Sequence, residues 1–265
     1  MDPHLIYDVG MHQGEDAEFY LRKGFRVVGV EADPALCEIT RRRLTDFVAS
    51  GQLTIVNAAI GPTAGPMPFF LNANPLWNTA VQSLAQGHVT LHQSPSQVVT
   101  VDAVTFDTIL ERYGIPYYLK VDIEGLDLLC LEALRGKTST PKYVSVEGEN
   151  MSFDHVFDTI ALMRELGYRG FKIVQQETVE HVKPPYPSRE GTYVDYRFPS
   201  SASGLFGDEL PGKWLDTEGA MREFVKLYPR FRALGHGRIR SRILRGLLHR
   251  LGLSPGWHDI HARRD

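Results

Sequence analysis

The first 175 residues swing repeatedly between short apolar runs and amphipathic stretches, and few architectures accommodate that rhythm. Leu5–Val9, Arg26–Glu31, Leu53–Asn57, Tyr117–Val121, Tyr143–Glu147 and Gly170–Val174 read as short buried strands. Helical spacing fills the intervals at Glu15–Lys23, after Asp33-Pro34, and at Thr105–Tyr113, Leu126–Leu134 and Val156–Leu166. Asp33 supplies a helix cap, Pro34 suits a first turn, and Gly24 ends the first helix. Strands that alternate with helices in this way form parallel βαβ units, so the expected class is α/β, a doubly wound Rossmann-like sheet with helices on both faces. Such sheets bind ligands at the carboxyl ends of their strands, near the switch in strand order. The residues that close each strand are therefore the first place to look for function.

Two regions break the rhythm. Residues 72–98, with Trp77 and Asn78, read as polar, irregular and suited to covering a site. Residues 184–212 are rich in Pro, Gly and Ser, which excludes a long regular element. The chain is expected to be one domain over 1–265, with 176–255 as a substrate-facing insertion before a last strand near 257–263. Thr192–Phe198 is the rival for that strand. Between Arg238 and Leu253, arginines interleave with Ile239, Ile243, Leu244, Leu247, Leu248 and Leu251, the pattern of a basic amphipathic helix. Such a helix packs on its own domain or faces an anionic membrane or acidic partner.

Composition narrows the partners. With 29 basic and 32 acidic residues the net charge is −3, which gives no electrostatic footprint for nucleic acid. No apolar run approaches the roughly 18 residues that a membrane span requires, and the first residues lack the pattern of a signal peptide. The only cysteines, Cys37 and Cys130, both fall in expected helices. Free thiols suit a reducing compartment, so the expectation is a cytoplasmic protein.

The loop Asp8-Val9-Gly10-Met11-His12-Gln13-Gly14-Glu15 joins the first strand to the first helix. Glycine there permits a tight turn and close approach of a ligand to the backbone. The dinucleotide pattern G-x-G-x-x-G fails, because His12 and Glu15 stand where it needs glycine. That makes a nicotinamide oxidoreductase a poor fit. The D-x-G-x-G-x-G spacing of class I methyltransferases fits Asp8, Gly10 and Gly14, with His12 the one departure. Glu31 ends the second strand, roughly 20 residues after the glycines, where this architecture places an acidic residue on ribose hydroxyls. Ala32 follows it, and Asn57-Ala58 closes the third strand near the expected adenine.

A second cluster is acidic. Asp122 and Glu124, in Lys120-Val121-Asp122-Ile123-Glu124-Gly125, are two residues apart and would share a face of a continued strand. Glu147 ends the next strand, with Glu149 just beyond. Carboxylates converging on one rim repel unless a cation joins them: a sulfonium, Lys120, or a divalent metal bridging Asp122 and Glu147. The structural alternative is that Glu124 caps the following helix and Glu147 is a solvated strand end. His88 and His92 have the spacing of a metal pair but no third ligand. His258 and His261 flank Asp259 in a segment read as a late strand.

Three blocks together resemble the FkbM family of methyltransferases: Tyr7–Asp16, Val30–Pro34, and Leu119–Gly125 with its Lys-x-Asp-x-Glu-Gly. The resemblance covers roughly residues 4–175. It implies a class I fold with a seven-stranded, mostly parallel sheet whose last strand runs antiparallel. It also implies transfer of a methyl group from S-adenosylmethionine, usually to an oxygen, on a sugar or natural product. By that resemblance Asp8, Gly10, Gly14 and Glu31 bind the cofactor, with His12, Ala32, Asn57 and Ala58 beside them, while Asp122, Glu124 and Glu147 line the reaction centre. The partner is then a small-molecule acceptor. An N-methyltransferase and a non-catalytic S-adenosylmethionine-binding module are the alternatives.

Overall fold

The computed structural model describes residues 1–148, 152–234 and 257–264. Its centre is a seven-stranded sheet built from β1 (Asp2–Val9), β2 (Arg26–Glu31), β3 (Leu53–Asn57), β7 (Pro116–Val121), β8 (Tyr143–Glu147), β9 (Gly170–Gln175) and β10 (His258–Arg263). The order is β3-β2-β1-β7-β8-β10-β9. Every pairing is parallel except those of β10, which runs antiparallel to both β8 and β9. Strand order reverses beside β1, which lies between β2 and β7, so the crevice expected of a doubly wound sheet opens there.

Alternation along each strand sends side chains to two different layers. On one face Tyr7, Val9, Val121, Val144, Val146, Ile260 and Ala262 pack beneath α5 (Phe106–Tyr113), α6 (Asp127–Glu132), α7 (Phe153–Glu165) and α8 (Thr217–Leu234). On the other face Ile6, Val27, Tyr118 and Tyr143 meet α1 (Glu15–Arg22) and the irregular segment that carries Val179, Phe198, Leu205, Phe206 and Leu210. That segment has no regular element beyond short 3₁₀ turns at Val179–His181 and Gly207–Glu209. It nonetheless serves as a structural layer, because Phe206 is stacked on Tyr118 with ring centroids 4.6 Å apart and is fully buried. Thr192–Phe198 forms no strand.

A buried ion pair ties this layer down. The Lys23 ammonium, at the end of α1, donates to Glu209 Oε1 at 2.9 Å, to Ser188 Oγ at 2.9 Å and to the Thr192 carbonyl at 3.2 Å. Three acceptors around one ammonium offset the cost of its desolvation.

Residues 72–98 depart from the irregular run that their polarity suggests. Gln82–His92 is a helix, α4, and flanking it are strands β5 (Gly65–Asn72) and β6 (Ser96–Val104). With β4 (Ala59–Ile60) they make a second sheet ordered β4-β6-β5. Phe69, Val101 and Ala103 pack with Ala59 and Ala32, the latter from just beyond β2. The strands escape the alternation test because two prolines interrupt β5 and only one face of β6 is well covered. Helices α2 (Pro34–Arg43) and α3 (Thr45–Ala49) connect β2 to β3, with the Asp33 carboxylate accepting from the Ala35 amide as the cap. Both cysteines are buried and free, on α2 and α6. No helix among the described residues is long and apolar enough to cross a membrane. The basic stretch 238–253 and Glu149 lie outside the described residues.

Candidate active site

A cleft of about 650 Å³, counted to its open mouth, lies at the carboxyl ends of β1, β2 and β7 and beneath the small sheet. Gly10 and His12 line it from the loop after β1, Glu31 and Ala32 from the end of β2, and Ala58 from the turn after β3. Asp122 and Glu124 form the rim beyond β7, and Phe69, Asn78 and Ala80 bring the small sheet to the opposite wall. Seven of the residues named from the sequence therefore meet in one place.

The loop after β1 is built for close approach. Gly10 has φ +83°, and a Cβ there would overlap the carbonyl oxygen of Asp122. Its amide bonds to the Val30 carbonyl at 2.9 Å, and the Asp122 amide bonds to the Val9 carbonyl at 2.9 Å, so the ends of three strands are sewn together. His12 adopts φ +52° without being glycine. That strain is held by two hydrogen bonds: its amide donates to Glu31 Oε2 at 2.8 Å, and its carbonyl accepts from Thr40 Oγ1 at 3.2 Å.

Glu31 is thus held from two sides, since its other oxygen accepts from the Asp33 amide at 2.9 Å. Burial nonetheless raises its pKa to about 7 against those two donors. Each oxygen keeps a second acceptor position. The His12 ring lies 3.0 Å from Glu15 Oε1 through Nδ1, while its Nε2 is buried with no hydrogen-bond partner among the described residues. Burial opposes protonation of this ring, but the Glu15 hydrogen bond and charge outweigh it and raise the pKa above 6.5.

Four expected contacts lie elsewhere. Asp8 is fully buried, outside the cleft lining, and lies 3.2 Å from the Lys120 ammonium. Gly14 does not line the cleft; it has φ +77°, begins α1 and packs on Thr40. Asn57 is outside the cleft lining and donates to the carbonyls of Glu31 and Ala32 at 2.9 and 3.2 Å, bracing the end of β2. Glu147 stands on the neighbouring strand outside the cleft lining, and burial followed by the charge of Asp122 raises its pKa well above that of a free carboxyl.

The sequence offers Lys120 as a cation for the rim carboxylates but does not mark Asp16 or Asp259 as its neighbours. Lys120 sits among Asp8, Asp16 at 3.4 Å and Asp122 at 3.5 Å. Asp16 passes the connection to the irregular layer by accepting from the Ser203 and Gly204 amides. Asp259 lies directly across from Glu147 in the antiparallel ladder and accepts from Gln176 Nε2 at 2.7 Å. Only the pairing of β10 with β8, which crosses more than 100 residues of sequence, could have revealed it. His258 and His261 are buried on β10, and desolvation lowers their pKa values to about 4 and about 3. His88 and His92 lie one turn apart on α4, with His88 stacked on Trp77. Among the described residues no group of three or more His, Cys, Asp or Glu is arranged to hold a metal.

The seven-stranded, mostly parallel sheet with its antiparallel β10 is the arrangement that the sequence reading expects of a class I methyltransferase fold. The model of the methyltransferase FkbM domain matches residues 8–169, which span β1 to the threshold of β9. The chain belongs to the FkbM methyltransferase family. The precorrin-6y C5,15-methyltransferase of Geobacter metallireducens GS-15 is 14% identical, with 66% of this chain and 68% of that one covered at a TM-score of 0.38. The C-terminal domain of the same kind of enzyme from Rhodobacter capsulatus is 10% identical, covering 66% and 67% at 0.39. A SAM-dependent O-methyltransferase from Thermotoga maritima is 10% identical, covering 100% of this chain and 60% of its own at 0.38. No curated protein matches the chain.

Proposed function

We propose that this FkbM-family methyltransferase uses S-adenosylmethionine to methylate a hydroxyl of a small acceptor, a sugar or natural product. The observation that carries the reading is Glu31, whose carboxylate is clamped by the His12 and Asp33 amides at the wall of a cleft with apolar flanks. Its spare acceptor positions suit a ribose diol, while Val30, Ala58, Ile60 and Leu36 offer an apolar slot for an adenine. With Nδ1 donating to Glu15, the unpartnered His12 Nε2 donates to a carboxylate when the ring is protonated, the form that its raised pKa favours. These features fit the cofactor.

S-Adenosylmethionine supplies a methyl group on an electrophilic sulfonium. The chain's own work is to orient that methyl against the acceptor oxygen and to take up the proton released. Asp122, on the cleft rim, is placed to take it, and Glu124 stands beside it. Glu147 stands outside the cleft lining, and burial followed by the charge of Asp122 raises its pKa, which favours its protonated form. An N-methyl acceptor would have less need of a base.

Isothermal titration with S-adenosylhomocysteine, with NADH in parallel, tests the reading. Micromolar binding of the first alone, reduced at least 10-fold in Glu31→Ala, supports it. Absence of binding, or equal binding of NADH, removes the cofactor assignment.

A further inference from the structure

We propose that Thr79, bridged to β5 at the edge of the small sheet, is a positioning residue that locks the Asp122–Gly125 loop and so fixes the Glu124 carboxylate at the cleft rim. The assignment of that rim to methyl transfer rests on the function proposed above. The lock itself rests on geometry alone.

Glu124 has φ +50°, in the left-handed region where a side-chain-bearing residue needs outside support. The support comes from two directions. From below, the buried Asp127 carboxylate accepts the amides on either side of Glu124, Ile123 N and Gly125 N, each at 3.0 Å. From above, the Thr79 hydroxyl donates to the Glu124 carbonyl at 2.7 Å. The first clamp is local in sequence. The second joins the loop after β7 to a residue 45 positions away that is bridged to β5 of the small sheet.

Thr79 is well fixed for this task. It is completely buried, and its amide and carbonyl form an antiparallel bridge with Phe70 on β5. Its hydroxyl also accepts from the Val81 amide at 2.9 Å, which leaves the hydroxyl proton for Glu124. The flanking residues Asn78 and Ala80 line the cleft, and Asn78 Nδ2 reaches Asp33 Oδ2 at 3.3 Å. The small sheet therefore holds the cleft's reaction side through Thr79 and its cofactor side through Asn78.

The bland alternative is that Thr79 only closes its own turn at Val81. Amide hydrogen exchange of Thr79→Val and Thr79→Ser separates the two without any ligand. The expected result is exchange at Ile123 and Gly125 at least 10-fold faster in Thr79→Val, near wild type in Thr79→Ser, and unchanged in β1 and β2. Faster exchange confined to Val81 and Leu84, or none, overturns the proposal. Should Thr79→Val not fold, Thr79→Ala is judged by the same criteria. A titration cycle with S-adenosylhomocysteine then links the lock to the site. Thr79→Val is expected to weaken binding about 5-fold with Glu124 present and less than 2-fold beside Glu124→Gln, whereas equal factors in both backgrounds would show that Thr79 does not act through Glu124. If wild type binds no S-adenosylhomocysteine, the cofactor reading fails while the exchange result still decides the lock.

Discussion

Glu31 pays for its position with a carboxyl that resists ionisation. Its pKa rises from 4.5 to about 7 because burial outweighs two amide donors. A raised carboxyl binds a proton in the folded chain that the unfolded chain has already lost, so its stabilising contribution is full below about 4.5 and disappears as pH rises through about 7. Glu31→Gln carries no such dependence. Urea unfolding from pH 4.5 to 8 should therefore show wild type losing on the order of 3 kcal/mol relative to the variant across that window. A parallel pair of curves would mean that Glu31 is ionised throughout. The loop glycines carry a second residue-scale prediction. Gly10→Ala combines φ +83° with overlap on the Asp122 carbonyl, a backbone atom that cannot swing away. Gly14→Ala, at φ +77°, meets the Thr40 methyl at 2.8 Å, and side chains can shift by tenths of an ångström. Denaturation midpoints should place Gly10→Ala well below Gly14→Ala, which should cost roughly 1–3 kcal/mol. At this scale Gly10, His12, Glu31 and Asp122, all named from the sequence, line one cleft, because each lies at or just beyond the carboxyl end of a strand. The sequence misassigned the reach of Asp8, whose inward direction depends on where Lys120 lies across the ladder.

The irregular layer from about 179 to 210 shows how an element without secondary structure can still be rigid. Lys23 and Glu209 have fully buried side chains, and Ser188 and the amides of Arg189 and Glu190 also converge on the Glu209 carboxylate. Removing the cation alone leaves that carboxylate buried without its counter-charge. Lys23→Met should therefore cost about 3–5 kcal/mol, and protease should gain access to 184–212 before the sheet unfolds. Adding Glu209→Gln to Lys23→Met should recover much of the loss, because no uncompensated charge then remains. Equal cleavage of wild type and Lys23→Met would show that the apolar contacts of Phe198 and Phe206 hold the layer without help. Element existence was legible wherever periodicity was strong: β2, β3 and β8 fall on the residues that their patterns mark. It failed at β5 and β6, where proline and half-exposed faces hide the two-residue period, and at α4, whose apolar stripe is thin. The Pro- and Gly-rich stretch was rightly denied regular structure, but composition is silent on packing: Phe198 and Phe206 are core residues, while Tyr186 and Tyr193 stay exposed.

Across the whole molecule, one buried lysine joins parts that are far apart in sequence. Lys120 on β7 faces Asp8 on β1, Asp16 on α1 and Asp122 at the cleft rim, and through Asp16 it reaches the Ser203 and Gly204 amides of the irregular layer. Sheet, first helix, covering layer and cleft rim thus share one cation. Three carboxylates around it leave the group net negative, which is tolerable because burial raises the pKa values of Asp8 and Asp16 and because amides solvate Asp16. Lys120→Met should remove the positive end of all three pairs at once, with a cost of several kcal/mol that grows with pH as the orphaned carboxyls are forced to ionise. Asp8→Asn added to Lys120→Met should return part of that stability, since the Asp8 carboxylate is fully buried, accepts a hydrogen bond from Lys120, and has Oδ2 unpartnered among the described residues. The same addition should restore little S-adenosylhomocysteine binding, because Asp122 at the rim would still lack its cation. Urea unfolding and titration on the four proteins of this cycle measure the two effects separately. Recovery of binding together with stability would place the lysine's influence on the cleft in the packing of β1 rather than in the charge at its rim.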